Sequence, residues 1–171
     1  MKRALFVVIA VLTAGLGLGM QQGGLDPQSP AKIEVGPRFK AVDVFVDSAQ
    51  VPLAAYQVEI VAKAGGNPET PGTSAFTVTL VGVEGGEHAA FKNPPHYDPA
   101  ALHADQLKDR IILAAFNTGA DLPSGRTRVA RIQVMVEGPE PVYSVIVKAA
   151  GAADGTRINA TGTAVAAGDV R

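Results

Sequence analysis

Phe39-Lys40-Ala41-Val42-Asp43-Val44-Phe45-Val46-Asp47 and Ala54-Ala55-Tyr56-Gln57-Val58-Glu59-Ile60-Val61 share a two-residue rhythm. In the first, Lys40 and Asp43 interrupt a run of β-branched and aromatic residues; in the second, Tyr56, Val58 and Ile60 alternate with Gln57, Glu59 and Val61. Successive side chains of a strand point to opposite faces, so this alternation predicts two strands with one buried side each, where a helix would show a 3.6-residue repeat.

The same rhythm recurs downstream. Residues 76–83 (FTVTLVGV) put Phe76, Val78 and Leu80 on one face and Thr77 and Thr79 on the other. Further strands are expected over 110–116 (RIILAAF), 128–136 (RVARIQVMV), 142–149 (VYSVIVKA) and 156–165. The last two flank Asp154-Gly155, a dipeptide suited to the positive φ of a tight hairpin turn. Seven strands without a sustained amphipathic helix predict an all-β chain in which two antiparallel sheets pack face to face, a barrel being the alternative closure.

Composition agrees with that reading. Of 171 residues, 18% are charged and 5% aromatic, with 19 Gly and 12 Pro, which describes one domain punctuated by turns. The absence of Cys excludes disulfides and thiolate metal sites. A mature chain of about 150 residues buries roughly 68 to 70% of its unfolded surface and needs no such staple. A net charge of -1 lacks the basic footprint that phosphate backbones require, so nucleic acid is not an expected partner.

The N-terminus reads as an address. Met1-Lys2-Arg3 precedes an uncharged apolar run over 4–18 (ALFVVIAVLTAGLGL) and the small residues Gly17 and Gly19, which predicts a signal peptide over 1–19. The run falls short of the roughly 20 residues that span a bilayer, with a retained anchor as the alternative if cleavage fails. Export to the periplasm, the cell surface or the medium follows, with membrane contact only through this segment if uncleaved. Residues 20–38 read as a flexible linker, 39–166 as the β-sandwich domain and 167–171 as a C-terminal tail.

Residues 85–109 (GGEHAAFKNPPHYDPAALHADQLKD) break the strand rhythm and are too long for a hairpin loop. Asp98 is suited to cap a short helix starting at Pro99, and Asn93-Pro94-Pro95 forces an extended approach. Long structured inserts on a β scaffold are where function concentrates.

Three runs resemble cohesin-type modules. Phe45-Val46-Asp47 followed by Val51-Pro52-Leu53-Ala54-Ala55-Tyr56-Gln57-Val58-Glu59-Ile60 is similar to their opening pair of strands, and Tyr97-Asp98-Pro99-Ala100-Ala101-Leu102 to their "YDPxxL" turn. Residues 125–136 (GRTRVARIQVMV) resemble their "GtLatItFkV" strand. The resemblance spans 39–165 and implies a nine-strand, jelly-roll-like sandwich, akin in shape to carbohydrate-binding modules, that binds another protein. The matched positions are fold positions, so no binding residue is carried over.

Few residues suggest chemistry. His88, His96 and His103 share one loop region with Glu84, Glu87, Asp98 and Asp105, but their spacing matches no compact ligand pattern; neither metal nor cofactor is expected. Asp43 and Asp47 share a strand face and read as a solvent-facing pair, with a calcium contact the alternative. No G-x-S-x-G elbow is present, and nothing places two carboxylates across a cleft, so no enzyme is expected. Arg126, Arg128 and Arg131 read as charge on a strand edge. Asn159-Ala160-Thr161 spells a glycosylation sequon that strand placement makes incidental.

The resulting expectation is an exported, non-catalytic adhesion or scaffold module that binds another protein, with carbohydrate binding or a purely structural envelope role as alternatives. Tyr56 and Tyr143 fall on core-facing positions. The insert carries the expected contact residues Phe91, Tyr97 and His96. The competing expectation is that Phe91 and Tyr97 plug the open end of the sandwich.

Overall fold

A computed structural model describes residues 36–64, 76–98 and 110–167. Those residues form eight strands: β1 Arg38–Asp47, β2 Ala55–Ala64, β3 Thr77–Gly85, β4 His96–Tyr97, β5 Arg110–Phe116, β6 Arg126–Glu137, β7 Pro141–Gly151 and β8 Thr161–Ala166. One 3-10 turn, Ala89–Phe91, lies in the insert. The expected helix from Pro99 lies outside the described residues, as do the signal segment and most of the linker.

Two four-stranded antiparallel sheets form a β-sandwich. Sheet A runs β3-β6-β1-β8 and sheet B runs β4-β5-β2-β7. Only the β4-to-β5 connection stays within a sheet; every other one crosses between sheets, as in jelly-roll arrangements. The hairpin expected at Asp154-Gly155 is therefore corrected, because β7 belongs to sheet B and β8 to sheet A. The dipeptide does turn the chain, with Gly155 at φ 85°, Gly155 N donating to the Ala152 carbonyl at 3.0 Å and Thr156 N donating to Asp154 Oδ1 at 2.9 Å. That turn closes a small loop pinned by a Gly151–Arg157 bridge, and the chain then crosses to the other sheet.

The alternation read from the sequence sets the core. Val42, Val44 and Val46 of β1, Tyr56, Val58 and Ile60 of β2, Leu113 of β5 and Val129, Ile132, Val134 and Val136 of β6 are all buried between the sheets. Fully burying such side chains contributes about 1.5 to 3 kcal/mol each before entropy is counted.

β6 carries an irregularity that reshapes the outer face of sheet A. Val44 pairs with Ala130 but Phe45 pairs with Arg128, so Val129 has no β1 partner and β6 bulges there. One extra residue restores the face of everything beyond it. Arg126, Arg128 and Arg131 consequently point outward together, on a central strand rather than an edge as expected. Arg131 clamps Asp43 with two bonds, Nε to Oδ1 at 2.7 Å and Nη2 to Oδ2 at 2.9 Å, and Arg128 Nε lies 3.7 Å from the same carboxylate. Arg126 stacks on Phe45 with its guanidinium carbon 3.5 Å from the ring centre.

Asp43 is thus a buried partner, 6% exposed, and its expected solvent-facing pairing with Asp47 is overturned. Asp47 instead accepts from the Ala49 amide at 2.9 Å in the following turn. The Arg131 hydrogen bonds hold the Asp43 carboxyl below its ordinary value, with the charges of Arg131 and Arg128 adding to the effect against desolvation. A depressed folded-state pKa means stability that is present above the unfolded value and is lost as pH falls through the folded one. Asp43→Asn is expected to cost about 2 kcal/mol at neutral pH, as for a lost charged hydrogen bond, and the cost should shrink as pH falls below the unfolded carboxyl's range. Urea unfolding of both proteins from neutral pH to below pH 3 checks this; a difference that stays constant with pH contradicts it.

Candidate functional site

The insert is built onto the sandwich by backbone bonds. Gly86 N donates to the Phe91 carbonyl at 2.7 Å and Glu87 N to the Arg128 carbonyl at 2.9 Å. In return Arg128 N donates to Glu87 Oε1 at 2.9 Å, and Arg128 Nη1 to the Gly85 carbonyl at 3.2 Å. His88 caps the 3-10 turn, its Nδ1 accepting from Ala90 N at 3.2 Å, and Asn117 Nδ2 holds the Ala90 carbonyl at 2.9 Å.

Within this frame the expected contact residues separate. Phe91 is 2% exposed and meets the Tyr56 ring edge-on at a centroid distance of 5.2 Å. The expectation that it anchors a partner is corrected: the ring belongs to the core, where the 3-10 turn drives it. Tyr56 in turn donates its hydroxyl to the Val129 carbonyl at 3.1 Å, and burial pushes its pKa up. Tyr97 pairs with Leu113 and is half-buried against the core, so it is a wall of the sandwich end rather than an exposed platform. Tyr143 also packs against the core as expected; desolvation pushes its pKa up to about 12. His96, paired with Ala114, stands exposed on the outer side of sheet B.

The metal candidates are likewise dispersed. His88 is spent on the cap, with Nε2 3.7 Å from Asp121 Oδ1, while His103 lies outside the described residues. Among the described residues no group of three or more His, Asp or Glu side chains could hold an ion.

What the insert builds is a groove of about 230 Å3 against the end of β5, lined by Phe91, Asn93, Pro94, Pro95, His96 and Phe116 among others. Asn93, Pro94 and Pro95 form one wall, with a bend at Asn93. Phe116, the last residue of β5, forms the other wall and is 71% exposed. Sequence reading placed it in a strand but did not single it out. The signal was available: Ile111 and Leu113 are inward, so residue 116 falls on the outward parity.

The charged groups nearby are occupied structurally. Glu59 is 9% exposed on the outer face of β2 and reaches Lys148 Nζ at 3.1 Å and Arg110 Nη1 at 3.8 Å. At the opposite end of the sandwich, Glu140 takes Lys40 at 2.6 Å and Arg38 at 3.4 Å. Among the described residues no helix is long and apolar enough to cross a membrane. No protein-family model, no curated protein and no solved structure matches this chain.

Proposed function

We propose that the chain is an exported, non-catalytic recognition module of cohesin-like build that holds another protein at the cell envelope, with the insert groove as its contact surface. The observation that carries this reading is Phe116, a large aromatic 71% exposed beside a rigid proline-walled groove. Interfaces draw most of their energy from a few such anchors seated near pockets. His96 on the neighbouring strand supplies a polar group at the rim.

Two further observations support it. Two of the three runs that resemble cohesin-type modules fall on β1, β2 and β6, all central in their sheets, while the third starts at Tyr97 on the edge strand β4 and continues outside the described residues. Several described carboxylates are engaged structurally, Asp43 with Arg131, Glu59 with Lys148 and Glu87 with Arg128 N, which suits a scaffold better than acid–base chemistry.

Phe116→Ala is expected to leave the melting temperature nearly unchanged, since the ring is mostly in water, while weakening partner capture by about 2 kcal/mol or more. Envelope extract from the source cell, passed over immobilised wild-type and variant protein, gives the comparison. Capture of the same protein by both at equal strength would remove the groove from the interface.

A further inference from the structure

Beside the groove, the outer face of sheet B holds a second, larger depression of about 410 Å3, whose lining includes Ala55, Gln57, Ala114, Ala149, Gly151 and Arg157. Strand register explains its shape. One cross-strand row runs Phe116, Ala55, Gly151 and then Arg157 through the bridge to Gly151. The next runs His96, Ala114, Gln57, Ala149. Three strand spacings of about 4.8 Å set Phe116 and Arg157 about 14 Å apart at the ends of the first row. Between them Ala55 and Gly151 present almost no side chain, which leaves a flat-floored trough with the Arg157 cation at its far end.

Both polar side chains of the trough are uncommitted. Among the described residues, no side-chain hydrogen bond or ion pair engages Arg157 or Gln57. By contrast Arg110 and Lys148, elsewhere on this sheet, already meet Glu59.

We propose that this trough binds a short stretch of an acidic, uronate-bearing polysaccharide, with a sugar carboxylate on the Arg157 guanidinium. A guanidinium matches a carboxylate with two parallel bonds, which a neutral sugar does not offer. The flat C–H face of a pyranose ring fits the alanine and glycine floor, and its hydroxyls reach the Gln57 amide. An extended peptide fits poorly. Peptides added to sheets gain affinity from main-chain bonds along a free edge, whereas β2 lies inside the sheet and the β7 edge beside the trough is already taken by the Gly151–Arg157 bridge and the Ile158 N to Ala150 carbonyl bond. The volume falls within the usual range for ligand sites of about 300 to 1,000 Å3.

The site does not depend on the protein-binding reading, because neither Arg157 nor Gln57 lines the insert groove. Affinity electrophoresis of the whole mature protein through gels containing polygalacturonate, with neutral galactan as control, tests it. Retardation is expected with polygalacturonate alone. Arg157→Gln should weaken it at least tenfold and Gln57→Ala severalfold, with melting temperatures unchanged, while Arg110→Gln should retain it. Absence of retardation, equal retardation by neutral galactan, or equal losses in Arg157→Gln and Arg110→Gln would overturn the proposal, the last by showing diffuse charge attraction. Failure here leaves Phe116-dependent protein capture intact, and failure of that capture leaves this result unaffected.

Discussion

Replacing Phe91 by Ala is expected to lower the free energy of unfolding by about 3 to 5 kcal/mol, the usual cost of deleting a buried aromatic ring. The ring is 2% exposed, and its edge-on contact with Tyr56 joins the insert to β2. Removal empties a space bounded by the core, and the 3-10 turn cannot follow it inward because Asn117 and Gly86 hold its backbone. Chemical denaturation of the purified variant measures the loss. Phe116→Ala is the matched control: the same substitution at a ring 71% exposed should cost only a few tenths of a kcal/mol. Similar losses in the two variants would contradict the placement of one ring inside and the other outside.

Gly85→Ala is expected to cost about 3 kcal/mol or more, at the upper end of overpacking effects, because the obstacle is main chain. A Cβ at residue 85 would lie 1.9 Å from the Lys92 carbonyl oxygen and 2.4 Å from its carbon. Backbone cannot rotate aside as a side chain would, so β3 and the end of the 3-10 turn must separate. The bonds from Gly86 N to Phe91 and from Glu87 N to Arg128 should open with it. Urea unfolding gives the energy, and faster amide exchange at Gly86 and Glu87 locates the damage. Gly82→Ala, where a Cβ meets nothing within 4 Å, should be tolerated; equal effects at both glycines would refute the steric account.

Much of the sandwich was legible because a strand with one buried face must alternate. That rule alone put Tyr56, Val58 and Ile60 inward and bounded β5 at Arg110 and Phe116. Features that depend on two distant strands were not legible. β4 is only His96–Tyr97 and exists because β5 lies alongside, so no local pattern announces it. Asp154-Gly155 turns the chain as its residues demand, yet the partner sheet of each flanking strand is a global choice. The arginines of β6 misled for a similar reason, since Arg128 and Arg131 share a face only through the bulge at Val129. At the site, the depth at which Phe91 sits required knowing where the 3-10 turn docks. Asn159 is exposed and lies outside β8, so the strand placement expected for its sequon does not hold.

The crossing connections also govern when the molecule can exist during its own synthesis. β1 is central in sheet A, but the Arg131 that clamps its Asp43 is 88 residues further along the chain. At about 5 to 20 residues per second, roughly 4 to 18 s separate their emergence from the ribosome. Throughout that interval β1 has neither β6 nor β8 to pair with, while β2 lacks β5 until 110–116 emerge and β7 until 141–151 do. The N-terminal half therefore contains no native ladder of its own, and those of sheet A close only when the last third of the chain arrives. Such late closure makes completion of sheet A a post-synthetic event, a property conferred by strand order alone.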